Sequence, residues 1–392
     1  MSNIGVLFLV RKKAQAGTVV FFRVRVIVKK REQRTKRGDF MHAVVIRHLF
    51  AGVISFLLGL YLVPIIIKAA LKIGFMDAPD GRLKLQKTPV AYLGGVAIFI
   101  PFIATLGLCF PFDNCVLWLL LGITLLLFVG LIDDLKVLKP SQKFFGQFIA
   151  TLCFLKGGFS LKTPFLTSFI NIGASLLWLL TIINAFNLVD VMDGLCSTLA
   201  ICSATVFLIF ALMQQAYTVS LLLTVFIGSV AAFFVYNKPN ARIYLGDAGS
   251  MFIGGLLAAV PLLLSWEPTI FATSWHYAWY DNMVRPLCEV FFIPALVLGI
   301  PLLEVVGLFI IRTKLGIPFY NGSPHHFSIY LQKRGWSKWA VLLFSVHASI
   351  AMALLAFMLA LRVVSFYVLT AGFLTVVASW VYMIFLQKIV DR

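Results

Sequence analysis

Long apolar runs separated by short polar loops make up almost the whole chain. Because a helix of about 20 apolar residues crosses the hydrocarbon core of a bilayer, each long run predicts one membrane-spanning helix. Eleven runs fit this description, at residues 48–70, 94–112, 115–132, 144–160, 168–188, 195–213, 217–236, 250–266, 288–311, 339–361 and 365–387. The pattern therefore predicts an all-α, polytopic integral membrane protein with about 11 transmembrane helices. The fourth run is the weakest, since it carries Lys156 and Gly157-Gly158, and it is compatible with a partly re-entrant segment.

The first 42 residues break this pattern. They hold a basic run from Arg11 to Arg37, and their apolar pieces are too short or too interrupted by arginine to span. No apolar region with a small-residue cleavage site follows the charges, so a signal peptide is not indicated. We divide the chain into a basic N-terminal tail, 1–42, and a transmembrane domain, 43–392, and we expect the tail to lie upstream of a true start at Met41.

Composition supports the membrane class and explains the charge. Of the 392 residues, 61% are apolar and 12% charged, and the mean hydropathy is +0.98. Such values indicate a membrane protein rather than a large soluble core. The net charge of +18 could suit nucleic acid, but in a membrane protein the loop cations and anionic lipids account for it. We therefore expect the lipid bilayer, and no nucleic acid, as a partner. The six cysteines show no metal or disulfide spacing and are interpreted as packing residues.

Lysine and arginine collect in the loops that follow odd-numbered runs. The positive-inside rule places these loops, and the C-terminus, in the cytoplasm. The N-terminus then lies outside, where a basic tail does not belong. Either the tail is absent from the working protein and Met41 is the true start, or the count of spans is off by one. We prefer the first explanation because every other loop agrees with the count.

Polar clusters follow runs 1, 3, 5, 7 and 9, and all five lie on the predicted cytoplasmic face. The central cluster, residues 184–195, ends the fifth run. Asn187, Asp190 and Asp193 recur every three residues, so a helical backbone places them on one face. Carboxylates at a membrane boundary face water, a cation or one another. A polar turn, with Asp and Asn bonding local backbone, is the alternative.

The loop after run 3 carries adjacent carboxylates, Asp133 and Asp134, with Lys143 downstream. Adjacent carboxylates repel, so the pKa of one rises unless a metal or a lysine is near. The pair suits a metal ligand or a base, and a solvated turn capped by aspartate fits equally well.

The sequence Gly-Asp-Ala-Gly-Ser, at 246–250, opens the eighth run. Glycines let backbone amides approach phosphate, and a helix N-terminus favours an anion. Asp247 beside such a site suits Mg²⁺, which takes carboxylate and phosphate oxygens together. A plain helix cap formed by Asp247 or Ser250 is the alternative, and both can hold.

Two weaker clusters complete the set. The loop at 77–95 carries cations such as Lys84 that can hold phosphate, or that simply enforce topology. His325 and His326 can donate to a phosphate; zinc is disfavoured because no third His or Cys ligand lies nearby, and a surface His pair is the simpler reading. Together the five loops suit a divalent cation and a diphosphate substrate.

These motifs resemble those of the polyprenyl-phosphate N-acetylhexosamine-1-phosphate transferases of glycosyltransferase family 4, which include the phospho-MurNAc-pentapeptide translocase. The matching positions are Asp77 and Pro79 with Gly94-Gly95, Asp133-Asp134 with Lys143 and Gln147, residues 184–195, residues 246–250, and His325-His326-Phe327. Val191 and Gln86 depart from the family pattern. The His loop is closer to the branch that primes polysaccharide synthesis than to the translocase.

The resemblance implies a reaction, a place and partners. A UDP-sugar of the GlcNAc or GalNAc type would react with undecaprenyl phosphate and release UMP, starting cell-surface polysaccharide or cell-wall glycan synthesis. Mg²⁺, with Mn²⁺ as a substitute, would be the cofactor. The enzyme would lie in the bacterial inner membrane with its active site facing the cytoplasm, and a homodimer is compatible with the family.

The resemblance also implies residue roles. Asp247 and Asp133 would be the metal ligands, and Asp133, Asp134 and Asp247 the catalytic group, with Asp133 holding or deprotonating the lipid phosphate. Direct attack and a covalent aspartyl intermediate both stay open. Nucleotide and sugar would be bound by Asn187, Asp190 and Asp193, uracil by Tyr244, and phosphates by Lys84, Lys143, His325 and His326.

Three other functions compete. One is the peptidoglycan translocase reaction, with a phospho-MurNAc-pentapeptide donor. A membrane transporter would place charges at mid-span and break its helices, whereas these carboxylates cluster at one face. An inactive scaffold would be expected to lose motif carboxylates, and each that we can match is retained.

Overall fold

A computed structural model describes residues 20–77, 90–109, 112–162, 166–264, 288–318, 323–361 and 366–385. The chain separates into two units, Met1–Arg47 and His48–Arg392. Helix α1 begins in the first unit and ends in the second. Everything else described below concerns the second unit.

The described part of the chain is almost entirely helical. Its helices are α1 (Val20–Lys72), α2 (Gly94–Cys109), α3 (Asn114–Leu135), α4 (Pro140–Lys156), α5 (Ser168–Val189), α6 (Leu195–Met213), α7 (Tyr217–Asn237), α8 (Gly246–Ala259), α9 (Ile293–Val297), α10 (Gly299–Lys314), α11 (Phe327–Lys333), α12 (Lys338–Leu361) and α13 (Phe366–Phe385). Two short strands, β1 (Met76–Asp77) and β2 (Val90–Ala91), pair antiparallel. The predicted helical class is confirmed, with this small sheet as an addition.

Each of the eleven predicted runs contains a helix, but fewer helices are long and apolar enough to cross a membrane by themselves. Six described helices meet that standard, or seven if the bent pair at 290–314 counts as one span. Three further apolar helices, at 94–109, 246–262 and 371–382, are shorter. The multi-pass architecture stands, and the count of eleven stays a prediction.

The ninth predicted run is not one straight helix. It begins with a π-helical turn at Cys288–Phe292, continues as α9, and then bends by 87° into α10. Pro294, Gly299 and Pro301 lie around the break, and proline and glycine are the usual causes of sharp helix bends. The prediction of a continuous span over 288–311 is therefore wrong in its geometry.

Helix α8 is the centre of the bundle. Every residue from Ala248 to Ala259 is buried, against α2, α3 and α5. Phe102, Phe226 and Phe252 meet edge to face with ring centroids 5.7–6.3 Å apart, joining α2, α7 and α8. Such packing fixes α8, and with it the residues of its first turn, relative to the surrounding helices.

The first loop is tied to the loop before α8 through the backbone. Ala91 forms a bridge with Ile243, and the Tyr244 N–H donates to the Ala91 carbonyl oxygen at 2.8 Å. The N–H groups of Gly94 and Gly95 donate to the carbonyl oxygens of Tyr244 and Leu245, both at 3.1 Å. The start of α2 therefore holds the entry to α8 in place.

Candidate active site

Four helices bring polar side chains to one point, the Nζ atom of Lys143 in the first turn of α4. Nζ lies 3.0 Å from Asp133 Oδ2 and 3.2 Å from Asn187 Oδ1, and it contacts Asp247 Oδ2. These partners come from α3, α5 and α8. Burial alone would lower the pKa of Lys143, but the carboxylates of Asp247 and Asp133 outweigh it, so its pKa is raised and the ammonium stays charged.

The turn between α3 and α4 brings Lys143 to Asp133. The N–H of Leu138 donates to Asp133 Oδ1 at 2.6 Å, which folds the loop back toward the end of α3. Pro140 then starts α4, because its fixed φ suits the first helical position. Lys143 follows one turn later, so a short local fold delivers its ammonium to the Asp133 carboxylate.

Asp134 faces the N-terminus of α8. The backbone N–H groups of Asp247 and Ala248 donate to its two oxygens at 2.8 and 3.1 Å. Gly246 is at φ +72°, and a Cβ there would lie 2.6 Å from Asp134 Oδ2, so glycine is needed for this approach. The cap of α8 thus comes from another helix, rather than from Asp247 or Ser250. A catalytic role for Asp134 stays a prediction.

Lys143 and its three partners, Asp133, Asn187 and Asp247, form what we call the Lys143 cluster. Asn187 links this cluster to α8. Its Nδ2 donates to Asp247 Oδ1 at 2.6 Å and to Ser250 Oγ at 3.0 Å. One turn earlier, Asn184 and the buried Gln147 exchange amide hydrogen bonds of 2.9 and 3.3 Å. These contacts lock α4, α5 and α8 together directly beneath the cluster.

Asp190 lies just after α5, where its carboxylate accepts from the Gly246 backbone N–H. Its pKa is raised well above the ordinary value, first by burial and then by the nearby charges of Asp247, Asp134 and Asp193. The structure therefore brings Asp190 to the start of α8. Helix α5 ends at Val189, so the predicted helical face shared by Asn187, Asp190 and Asp193 does not form.

Asp193 has a different set of partners. Its Oδ2 accepts from Lys338 Nζ at 2.6 Å and from the N–H groups of Asn240 and Ala241 at 3.2 and 3.5 Å. It therefore ties the loop after α5 to the loop after α7 and to the start of α12. A substrate-binding role for Asp193 stays a prediction, and it would compete with the bond to Lys338.

Tyr244 lies half-buried in the loop before α8. Its ring stands edge to face with Tyr92, with centroids 5.9 Å apart, and Tyr92 meets Phe75 at the same distance. An aromatic row therefore borders the first loop. The predicted Lys84 lies outside the described residues.

The two histidines have unequal surroundings. His326 is buried, and its Nδ1 lies 2.9 Å from Oε1 of the buried Glu304 on α10. Only Nε2 of His326 is then left for a phosphate. The ring of His325 lies 6.2 Å from that of Tyr330. Sequence reasoning missed Glu304, although a glutamate inside an apolar run is itself a signal of function.

The oxygens around Lys143 Nζ are suited to a divalent cation. Oδ2 of Asp133, Oδ2 of Asp247 and Oδ1 of Asn187 converge on a position that already holds a positive charge. Within the described ranges no group of three or more His, Cys, Asp or Glu side chains could hold a metal. Mg²⁺ is usually bound by one or two carboxylates with substrate phosphates and water, so two aspartates completed by a diphosphate fit it.

Comparisons with known proteins identify the family of this chain. A family model for glycosyl transferase family 4 matches residues 116–265. A Bacillus subtilis (strain 168) protein, named a probable undecaprenyl-phosphate N-acetylglucosaminyl 1-phosphate transferase, is 28% identical over 278 residues, covering 68% of this chain and 72% of the relative. The phospho-N-acetylmuramoyl-pentapeptide-transferase of Listeria innocua serovar 6a is 30% identical over 323 residues, covering 74% and 91%.

A helical bundle with carboxylates, amides and a lysine converging on one cation position, together with these relatives, defines a multi-pass membrane transferase. The chain belongs to glycosyl transferase family 4, the family of the polyprenyl-phosphate phosphosugar transferases that its motifs resemble.

Proposed function

We propose that this protein transfers N-acetylhexosamine 1-phosphate from a UDP-sugar to undecaprenyl phosphate and releases UMP. The observation that carries the proposal is the convergence of Asp133, Asp247, Asn187 and Lys143 on one cation position. A relative named a probable undecaprenyl-phosphate N-acetylglucosaminyl 1-phosphate transferase shares 28% identity with the chain. The product would initiate cell-surface polysaccharide or cell-wall glycan synthesis.

Asp247 and Asp133 would hold Mg²⁺ through the oxygens that now meet Lys143, and Mn²⁺ would substitute. When bound, the metal supplies charge neutralisation at the diphosphate of the donor. Asn187 keeps Oδ1 of Asp247 occupied, at 2.6 Å, and so leaves its Oδ2 as the oxygen turned toward the site. Lys143 would hold a phosphate oxygen.

In the proposed reaction a phosphate oxygen of the lipid attacks the sugar-bearing phosphorus of the donor, and UMP leaves with the bond electrons. Asp133 would hold or deprotonate the lipid phosphate. A covalent aspartyl intermediate is the competing route, with Asp133 as nucleophile. Asn187, Asp190 and Asp193 would bind the nucleotide and sugar, Tyr244 the uracil, and His325 and His326 phosphates.

The protein is a multi-pass bacterial membrane protein by its helices and its relatives. We propose that it lies in the inner membrane, with the Lys143 cluster and the C-terminus in the cytoplasm. The positive-inside pattern of its loops supports this orientation. A soluble UDP-sugar and a membrane lipid could then both reach the cluster, and a homodimer stays a prediction.

A second donor has specific support. The Listeria phospho-N-acetylmuramoyl-pentapeptide-transferase matches over 91% of its length, compared with 72% for the Bacillus relative. A UDP-MurNAc-pentapeptide donor is therefore the second candidate, with the same acceptor and the same catalytic cluster.

UMP release by purified protein in nanodiscs tests the proposal. We expect release that requires undecaprenyl phosphate and Mg²⁺, with a donor found among UDP-GlcNAc, UDP-GalNAc and UDP-MurNAc-pentapeptide. Asp247→Asn should lower the rate of UMP release by about 100-fold or more, because the charged metal ligand beside the transferred phosphate is lost. Asp113→Asn, at the opposite end of α3, is the matched control, since Asn also caps a helix.

The active member of the donor panel would decide between the two candidates. Folded protein that carries lipid but releases no UMP with any donor would overturn the proposal. An Asp247→Asn rate equal to that of Asp113→Asn would show that the cluster is not the catalytic site.

A further inference from the structure

Lys143 holds together carboxylates from two different helices. Oδ1 of Asp133 accepts from the Leu138 N–H at 2.6 Å and Oδ1 of Asp247 accepts from Asn187 at 2.6 Å. The remaining oxygens, Oδ2 of each aspartate, both meet Nζ of Lys143. These are also the two oxygens that remain for a metal ion.

We infer that the Lys143 ammonium is a tethered cation that occupies the divalent-cation position and has to leave Asp247 Oδ2 before a metal can bind there. This rests on the metal site of the proposed function. The reason is geometric: Mg²⁺ binds oxygen at about 2.0–2.1 Å, so an ammonium in contact with the same two oxygens takes the same space.

Charge explains why the chain would keep a cation there. Two carboxylates turned toward one position repel each other when no cation lies between them. Breaking a buried ion pair leaves an uncompensated charge, which is costly. Lys143 therefore keeps the ends of α3 and α8 together in the metal-free protein, and the metal takes over that task on binding.

The Lys143 side chain can move away from the two carboxylates. It is 19% exposed, it extends from the first turn of α4, and it carries its charge on a flexible four-carbon stem. Once displaced, its ammonium remains within one side-chain length of the two carboxylates. The exchange would therefore release a phosphate-binding cation at the moment the metal arrives.

Mn²⁺ binding without any substrate is the measurement, made by electron paramagnetic resonance on protein in nanodiscs. Lys143→Met removes the competing charge and keeps the side-chain length, so we expect Mn²⁺ to bind about tenfold more tightly than in the wild type, or better. Lys139→Met is the matched control, because Lys139 is exposed one turn earlier, and its affinity should match the wild type. Asp247→Asn should lose the tight site in both backgrounds, which assigns the signal to this position.

Lys143→Arg keeps the charge and is expected to bind Mn²⁺ no more tightly than the wild type, so the inference does not depend on one variant. Equal or weaker Mn²⁺ binding by Lys143→Met than by Lys139→Met would overturn the inference and leave the metal site standing. Absence of Mn²⁺ binding from the wild type and from Lys143→Met would also overturn the inference, and the Mg²⁺ dependence of UMP release would then decide whether the metal binds only together with the donor diphosphate. Because substrate is left out, neither result depends on which sugar the enzyme uses.

Discussion

Asp190 shows that bringing several carboxylates together in this site costs folding free energy. It lies beside the first turn of α8, where burial and the charges of Asp247 and Asp134 raise its pKa well above the ordinary value. A carboxyl with a raised pKa in the folded state favours folding while it is protonated. That contribution is complete below the unfolded pKa of about 4 and is lost as the pH rises through the folded value.

Asp190→Asn should therefore stabilise the protein at pH 8, because Asn carries no charge and its oxygen can still accept from Gly246. We expect the melting temperature in detergent to rise by about 2 °C or more, and the difference from wild type to shrink toward pH 4. Asp113→Asn, at an exposed cap, is the control and should show no such pH dependence. A lower melting temperature for Asp190→Asn at pH 8 would mean that the charge is stabilised by its surroundings after all.

At the scale of elements, the contact between α3 and α8 sets the distance between the carboxylates of Asp133 and Asp247. Gly130 on α3 lies against the backbone of Ala248, and a Cβ at Gly130 would come within 2.4 Å of the Ala248 Cα. Asp133 follows Gly130 by almost one helical turn. The absence of a side chain at Gly130 is therefore what lets Asp133 and Asp247 share one cation.

Gly130→Ala should push α3 away from α8 and separate the two aspartates. Overpacking of this kind costs about 1–3 kcal/mol, and UMP release should fall by at least about tenfold, because small misplacements cost catalysis heavily. Gly107→Ala on α2 is the matched control, since a Cβ there meets nothing within 4 Å. Full activity of Gly130→Ala in folded protein would show that the aspartates tolerate a wider spacing.

Local signals predicted some elements well and others poorly. Helix α6 has the predicted bounds, 195–213, because Gly194 at φ +74° marks its start and polar Gln214-Gln215 mark its end. Helix α8 begins at Gly246 rather than at 250, since its cap comes from Asp134, 112 residues earlier in the chain. Periodicity carries no information about such a distant partner.

For the whole molecule, the loops are joined by side chains as well as by the bundle. Asp193 links two of them, after α5 and after α7, to the start of α12 through the 240–241 backbone and Lys338. Asn237 adds a second connection, accepting from the Gly194 N–H at 3.1 Å and from Ser197 Oγ at 3.0 Å. The sequence predicted that these loops share a face, but not that Asp193 would serve as their link.

Lys338→Met should loosen this link without touching the Lys143 cluster. Lys338 is 42% exposed, and exposed ion pairs are worth about 0–1 kcal/mol. We therefore expect KM for the UDP-sugar to rise about twofold to fivefold, with kcat little changed, and the effect to fade at high salt. Lys136→Met, an exposed loop lysine, is the control. A loss of kcat without a change in KM would place Lys338 in the chemical step.

Contacts between residues that are far apart in the chain are the part of the site that the sequence could not predict. The five motif loops were recognisable because each carries its own residue pattern. Glu304 has no such pattern, and its partner His326 lies 22 residues away on a different element. Only the packing of α10 against the turn before α11 shows that one of the two predicted histidines is held by a buried carboxylate.

The burial of α8 from Ala248 to Ala259 has a consequence for how the enzyme would respond to its membrane. The helix has 14 residues, so it is about 21 Å long, shorter than the hydrocarbon core of about 30 Å. A lipid-facing helix of that length would be exposed to hydrophobic mismatch, but α8 is covered by protein along its length. We therefore expect acyl-chain length to affect the position of Asp247 only through the helices that surround α8, and not through contacts between α8 and lipid.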